Sequence, residues 1–270
     1  MKAQAKTKTT ACPLLEFKNI TVFKGEGRKV LNSLSLKIYE KECVAVLGPN
    51  GAGKSSLIKT ITREYYPVPQ KNGAFRILGQ DRWNVFDLRF LLGIVSNDLQ
   101  YACTRDITGL EMVLSGFFST IGLFKERLTP AMKQKARKVI DFLEVASLQN
   151  RKMNEMSSGE ARRFLIGRAL VHEPRALILD EPTNSLDLHA FYKFTDLLRK
   201  IAKSGTSIIL VTQNISDIIP EIKRVILMKE GKFYKEGPKE AILTDLNMTR
   251  LFSSPVEIKK KDGYYYALRA

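Results

Sequence analysis

Residues Gly48-Pro49-Asn50-Gly51-Ala52-Gly53-Lys54-Ser55 fit the pattern G-x-x-x-x-G-K-[ST]. Glycines at these spacings let backbone N–H groups converge on phosphate oxygens, and a helix N-terminus behind them adds its positive dipole end. In such a loop Lys54 reaches the β- and γ-phosphates of a nucleotide, and the Ser55 hydroxyl suits Mg²⁺. Gly48, Pro49, Asn50, Gly51, Ala52, Gly53, Lys54, Ser55 and Ser56 are the expected phosphate cradle. A second pair, Asp180-Glu181, closes an apolar run at 176–179. Carboxylates at the carboxyl end of a strand lie where open α/β sheets bind ligands. Asp180 suits the Mg²⁺ shell, and Glu181 suits orienting or deprotonating a water in line with the γ-phosphorus.

These groups need strands that end at one edge. Cys43-Val44-Ala45-Val46-Leu47 is continuously apolar, as expected of a strand buried on both faces, and it runs straight into the glycine loop. Residues 55–62 then read as a helix. The runs 176–179 and 207–211 are further short buried strands, separated by a helical pattern at 188–202. Before them, Leu15-Glu16-Phe17-Lys18 and Leu34-Ser35-Leu36-Lys37-Ile38 alternate with period two, and Ala74-Phe75-Arg76-Ile77-Leu78 precedes a turn. Helical periodicity takes over at 109–118, 131–145 and 159–171. Strand–helix alternation predicts an α/β fold with a parallel sheet. The chain divides into a basic tail (1–13), a main unit (14–240) carrying a helical insertion at about 98–158, and a C-terminal helix and β-hairpin (241–270). The hairpin is expected around Lys261-Asp262-Gly263.

Composition narrows the class. Hydrophobic residues are 44% and charged residues 27% of the 270, which excludes a disordered or collagen-like chain. No apolar run approaches the ~18 residues of a membrane span, and the first ten residues lack the apolar core of a secretory signal. Cys12, Cys43 and Cys103 are too few and too scattered for a disulfide framework or a zinc site, so a reducing cytoplasm is expected. The net charge of +16 suits anionic partners: nucleotide, nucleic acid, or the negative cytoplasmic face of a membrane.

Met156-Ser157-Ser158-Gly159-Glu160, ahead of the helical run Ala161-Arg162-Arg163-Phe164, adds a third motif. Together the three resemble ABC-type ATPases over residues 14–235. The resemblance implies a P-loop NTPase core with a parallel sheet, an N-terminal antiparallel β subdomain and an inserted helical subdomain. It implies ATP and Mg²⁺ as cofactors, with Ser157, Ser158, Gly159 and Glu160 closing over ATP held by a second cassette subunit, so that sites form in a head-to-tail dimer. It further implies that Phe23 stacks on adenine and that 184–187 crosses the dimer interface. Residues 111–124 belong to the part that docks on transmembrane permease subunits. An energy-coupling subunit of a transporter, peripheral on the cytoplasmic face of the membrane, is the reading that follows. The alternative is a soluble, non-transport ATPase acting on nucleic acid or ribosomes. Such proteins usually carry two cassettes or a coiled-coil insertion, and neither is visible between Gly53 and Asp180, so nucleic acid is not the expected partner.

The pattern also departs from the family. Ser158 stands for a glycine and Glu160 for a glutamine, and a carboxylate near a γ-phosphate must point away or pair with Arg162 or Arg163. Asn97 occupies the position of the glutamine that serves Mg²⁺ or water, with Gln100 three residues on. Gln213 takes the place of the switch histidine; its amide N–H can reach a γ-phosphate but carries no titratable proton. His172 and His189 lie elsewhere in the pattern. ATP binding is therefore expected to be intact and turnover modest. Steady-state phosphate release should hold or rise in Gln213→His; a collapse in rate would show glutamine to be the adapted residue.

Overall fold

The computed structural model describes residues 12–25, 27–96, 99, 106–122 and 128–269. Most of the basic tail and positions Asn97, Gln100 and Cys103 lie outside these. In chain order the strands and helices are β1 (Leu15–Lys24), β2 (Arg28–Ile38), β3 (Cys43–Leu47), α1 (Lys54–Ile61), β4 (Ala74–Ile77), α2 (Val85–Leu91) and β5 (Leu92–Val95). There follow α3 (Gly109–Ser115), α4 (Pro130–Phe142), α5 (Ser158–Leu170), β6 (Ala176–Asp180), α6 (Leu188–Lys203), β7 (Ser207–Thr212), β8 (Arg224–Lys229) and β9 (Lys232–Pro238). The chain ends with α7 (Lys239–Ile242), α8 (Asp245–Phe252), β10 (Val256–Lys261) and β11 (Tyr264–Arg269).

The central sheet has the order β5-β6-β7-β3-β8-β9. Its first five strands run parallel and β9 returns antiparallel on β8. Strand β3 explains its own sequence: Ala45 and Leu47 pack into a core shared with α3 to α6, while Val44 and Val46 pack into the opposite core with β1, β2 and α1. A strand covered on both faces has no polar side, hence the unbroken apolar run. Over its second face lies the antiparallel sheet β2-β1-β4, whose alternating residues bury one side only. The C-terminal hairpin pairs Lys261 with Tyr264 across Asp262-Gly263. Both turn residues take positive φ, 52° and 81°, which is the backbone a two-residue hairpin turn demands.

Register decides where the chemistry goes. Leu47 pairs with Thr212 and Asp180 with Val211, so the carboxyl ends of β3, β7 and β6 come level side by side. Strands β8 and β9, which the sequence patterns above did not single out, extend the far edge. The helical run at 109–118 stops as an α-helix at Ser115 and tightens into a 3-10 turn over Gly116–Phe118. The helix expected at 131–145 runs over Pro130–Phe142, because Thr129 caps it and Pro130 suits a first helical position.

Helix α5 crosses α3 at Gly109, where an added Cβ would stand 2.5 Å from the Phe164 ring. Phe164 is fully buried and holds the two helices together. Truncation by Phe164→Ala should cost about 3–5 kcal/mol in urea unfolding. A loss under about 1 kcal/mol would mean that the two helices do not depend on this contact.

Candidate functional site

The glycine loop begins where β3 runs out. Its first residue is tied in by Gly48 N–H donating to the Thr212 carbonyl at 3.1 Å. A Cβ on Gly48 would meet the Met228 carbonyl at 2.3 Å, so no side chain fits there. Gly53, with φ of 102°, supplies the left-handed turn that starts α1. No side chain caps this helix and no acidic residue sits in its first turn, so the backbone N–H groups of Lys54, Ser55 and Ser56 are offered to an anion. Lys54 is buried, and its Nζ donates to the Gly48 and Pro49 carbonyls at 2.8 and 3.0 Å. That ammonium also pairs with Glu181 at 3.2 Å. Asn50 and Gly51 form the exposed crown of the loop, and Ala52 is buried beneath it.

Asp180 is the last residue of β6 and Glu181 leaves the strand with φ of 47°, a left-handed conformation that is strained for a side chain of this size. Glu181 N–H donates to the Val211 carbonyl at 2.8 Å, and its carboxylate accepts from the Gln213 N–H at 3.2 Å. Thus Lys54, Glu181 and Gln213, called from separate motifs, meet at one strand edge. Ser55 and Asp180 face a single cleft of about 610 Å³, with Ser96 on its wall. A hydroxyl and a carboxylate lining one cleft suit a small hard cation such as Mg²⁺. Asn97 lies outside the described residues.

Behind these groups sits a layer that the motifs did not reveal. Asp217, fully buried in the 3-10 turn Ile215–Asp217, accepts from the Thr183 hydroxyl at 2.7 Å and from the Thr212 hydroxyl. Burial pushes its carboxyl up to about 6, against the two hydroxyl donors that favour the ion. Arg162, 1% exposed on α5, donates to the Pro182 carbonyl.

The serine motif opens α5. Ser157 is the N-cap: its hydroxyl accepts from Glu160 N–H at 3.3 Å while its own N–H donates to the Glu160 carboxylate at 2.8 Å. Glu160 is thus turned back on its own helix end, and the Ser157 N–H holds its carboxyl below the usual range, with Arg151 and Arg163 adding at longer range. Because this folded-state pKa is depressed, the stabilisation is present at neutral pH and lost as pH falls through it. Ser157 and Ser158 are exposed, and the Ser158 hydroxyl donates to the Ser185 carbonyl at 3.1 Å. Gly159 is buried against α6, where a Cβ would lie 2.9 Å from the Ala190 methyl. Its missing side chain is required by packing within the chain.

Phe23, next to last in β1, is 40% exposed beside Lys29, whose ammonium lies 5.8 Å from the ring centre. His172 is structural: it bonds the Gly116 carbonyl at 2.9 Å between Phe90 and Phe117, and burial lowers its pKa. His189 is exposed on α6.

A family model described as "ABC transporter" matches residues 31–184, from β2 through the glycine loop and the serine motif to Asn184. The chain belongs to that family. As an ABC transporter cassette it binds and hydrolyses ATP to power transport. It is similar to an uncharacterised ABC transporter ATP-binding protein, YlmA, of Bacillus subtilis, at 31% identity over 91% of this chain and 93% of the relative. Among solved structures it resembles the cassette MJ0796 in a dimeric post-hydrolysis state bound to ADP and Pi, with TM-score 0.67, 25% identity and coverage of 83% and 98%. It shares its fold with cbiO1 of Clostridium perfringens, described as part of the transporter complex cbiONQ, with TM-score 0.74, 24% identity and coverage of 88% and 93%.

The capping role of Glu160 makes the cassette's departure from glutamine testable. Glutamine also accepts from an N-cap N–H, so Glu160→Gln should change unfolding free energy by under about 0.5 kcal/mol, whereas Glu160→Ala should lose about 1 kcal/mol. Equal losses for both would contradict the capping account.

Proposed function

We propose that this cassette works as one half of an ATP-closed dimer, most simply of identical chains, seated on separate transmembrane permease subunits at the cytoplasmic face of the membrane. The observation that carries this reading is the exposure of Ser157 and Ser158 at the N-terminus of α5, while the glycine loop is built into its own subunit. In this reading that helix end meets phosphates held by another molecule, since its N–H groups and dipole favour an anion. No helix among the described residues is long and apolar enough to cross a membrane; in this reading the permease subunits supply the span. The +16 charge suits an anionic bilayer face.

In this reading Phe23 stacks on the adenine, and the N–H groups from Gly48 to Ser56 together with Lys54 bind the phosphates. Ser55, Asp180 and Asn97 would hold Mg²⁺, which when bound offsets charge on the β- and γ-phosphates. Phosphate oxygens compete with Glu181 for the Lys54 ammonium. Once released, Glu181 orients the attacking water and accepts its proton, and the Gln213 amide donates to the γ-phosphate. Ser157, Ser158 and Gly159 of the second copy clamp the γ-phosphate from the other side; Glu160 serves by shaping that helix end. Hydrolysis loosens the clamp, and the opening passes to the permease through α3 and α4.

Glu181→Gln should bind ATP, fall in phosphate release by about 100-fold or more, and run as a dimer on sizing chromatography with ATP. A variant that stays monomeric at saturating ATP would contradict the paired-site reading.

A further inference from the structure

Asp217 belongs to no motif, yet it is the fully buried acid nearest the hydrolysis machinery in bonding terms. Its two oxygens are shared between two different loops. Thr183, whose hydroxyl donates to Oδ1 at 2.7 Å, sits two positions after Glu181 on the loop leaving β6. Thr212, whose hydroxyl donates to Oδ2, ends β7 immediately before Gln213. The Thr212 hydroxyl in turn accepts from Asn214 N–H at 3.0 Å and lies 3.5 Å from the Glu181 carboxylate. Arg162 grips the same Glu181–Thr183 loop from the other side through the Pro182 carbonyl.

A buried carboxylate is expensive, and an apolar residue of similar size commonly costs less. Two further facts say what this one is for. Glu181 holds a left-handed φ of 47°, which persists only where the surroundings over-determine it. The Glu181–Gln213 contact, 3.2 Å, lies just past the last β6–β7 ladder bond, from Glu181 N–H to the Val211 carbonyl.

We propose that Asp217 is a positioning residue for ATP hydrolysis: by accepting from Thr183 and Thr212 together, it locks the loop bearing Glu181 against the strand end bearing Gln213. This rests on the assignment of Glu181 and Gln213 above. The charged groups acting on Asp217 are Glu181 from the β6 loop, which opposes its ionisation, and Arg162 from α5, which favours it. Strand β11, packed on the same turn, brings Tyr264, Tyr265 and Tyr266 and, at its end, Arg269. With its carboxyl pushed up to about 6, Asp217 changes charge within the working range of an assay. The sign matters: a raised folded-state pKa means that its ionisation opposes folding, so stability from this group declines as pH rises through about 6, while the locked geometry needs the ion.

The test compares phosphate release and ATP affinity of the parent, Asp217→Asn and Thr183→Val from pH 5 to 8. Asp217→Asn should lose about tenfold or more in kcat at pH 8, with ATP affinity within about threefold. Its pH profile should lack the component near 6 that the parent shows. Thr183→Val keeps the carboxylate but removes one donor to the ion, so its component should move to higher pH. If Asp217→Asn fails to fold, Thr183→Val carries the test alone through that shift. A parental rate in Asp217→Asn, or three superimposable profiles, would overturn the proposal. A parent that binds ATP without hydrolysing it would instead overturn the assignment of Glu181.

Discussion

The site depends on one alignment, the parallel pairing of β3 and β6 on either side of β7. Leu47 opposite Thr212 and Asp180 opposite Val211 leave the strand ends level, and the loops that follow have no choice but to meet. The buried Lys54–Glu181 pair at 3.2 Å records that meeting. A buried ion pair is weak evidence for stability, because desolvation cancels most of the attraction. Here its value lies elsewhere: each partner is held dry, aimed, and available to another charge. In the proposed mechanism a triphosphate's oxygens replace the carboxylate on Lys54 and free that carboxylate to act on water.

The polar layer beneath makes the arrangement rigid where the sheet cannot. Beyond the last ladder bonds, strain at Glu181 would relax unless other contacts fixed it. Thr183, Thr212, Asp217 and Arg162 supply those contacts from three directions, all inside the same subunit. The exposed N-terminus of α5 is the opposite case. Its own cap and Glu160 satisfy part of the helix end, and the rest faces outward. One half of the site is therefore over-determined within the chain, and the other half is the part that the proposed dimer would complete.

Some of this could be read from residues alone. The glycine loop was legible because few residue types tolerate a left-handed φ beside a carbonyl, and strands β3, β6 and β7 because burial on both faces forbids polar residues. Their lateral order was not legible, since parallel pairing joins segments far apart in the chain. Glu160 looked misplaced when only charge was considered; the spacing Ser157-x-x-Glu160 is a capping signal and predicts the inward turn seen here. Asp217 was hidden because a polar residue in a short turn looks solvated, although Ile215, Ile218 and Ile219 around it pointed inward. Gly159 was legible as special for a reason that proved partly local, its contact with Ala190.

The central claim is that Glu181 and the nucleotide compete for one ammonium group. Calorimetric titration of ATP into Glu181→Gln and Lys54→Met tests it most directly. Removing the competing carboxylate should leave ATP affinity equal to or tighter than the parent's, while removing the ammonium should weaken it by about 100-fold. Equal weakening in both variants would mean that Glu181 supports phosphate binding instead of yielding to it, and the account would fail at its base.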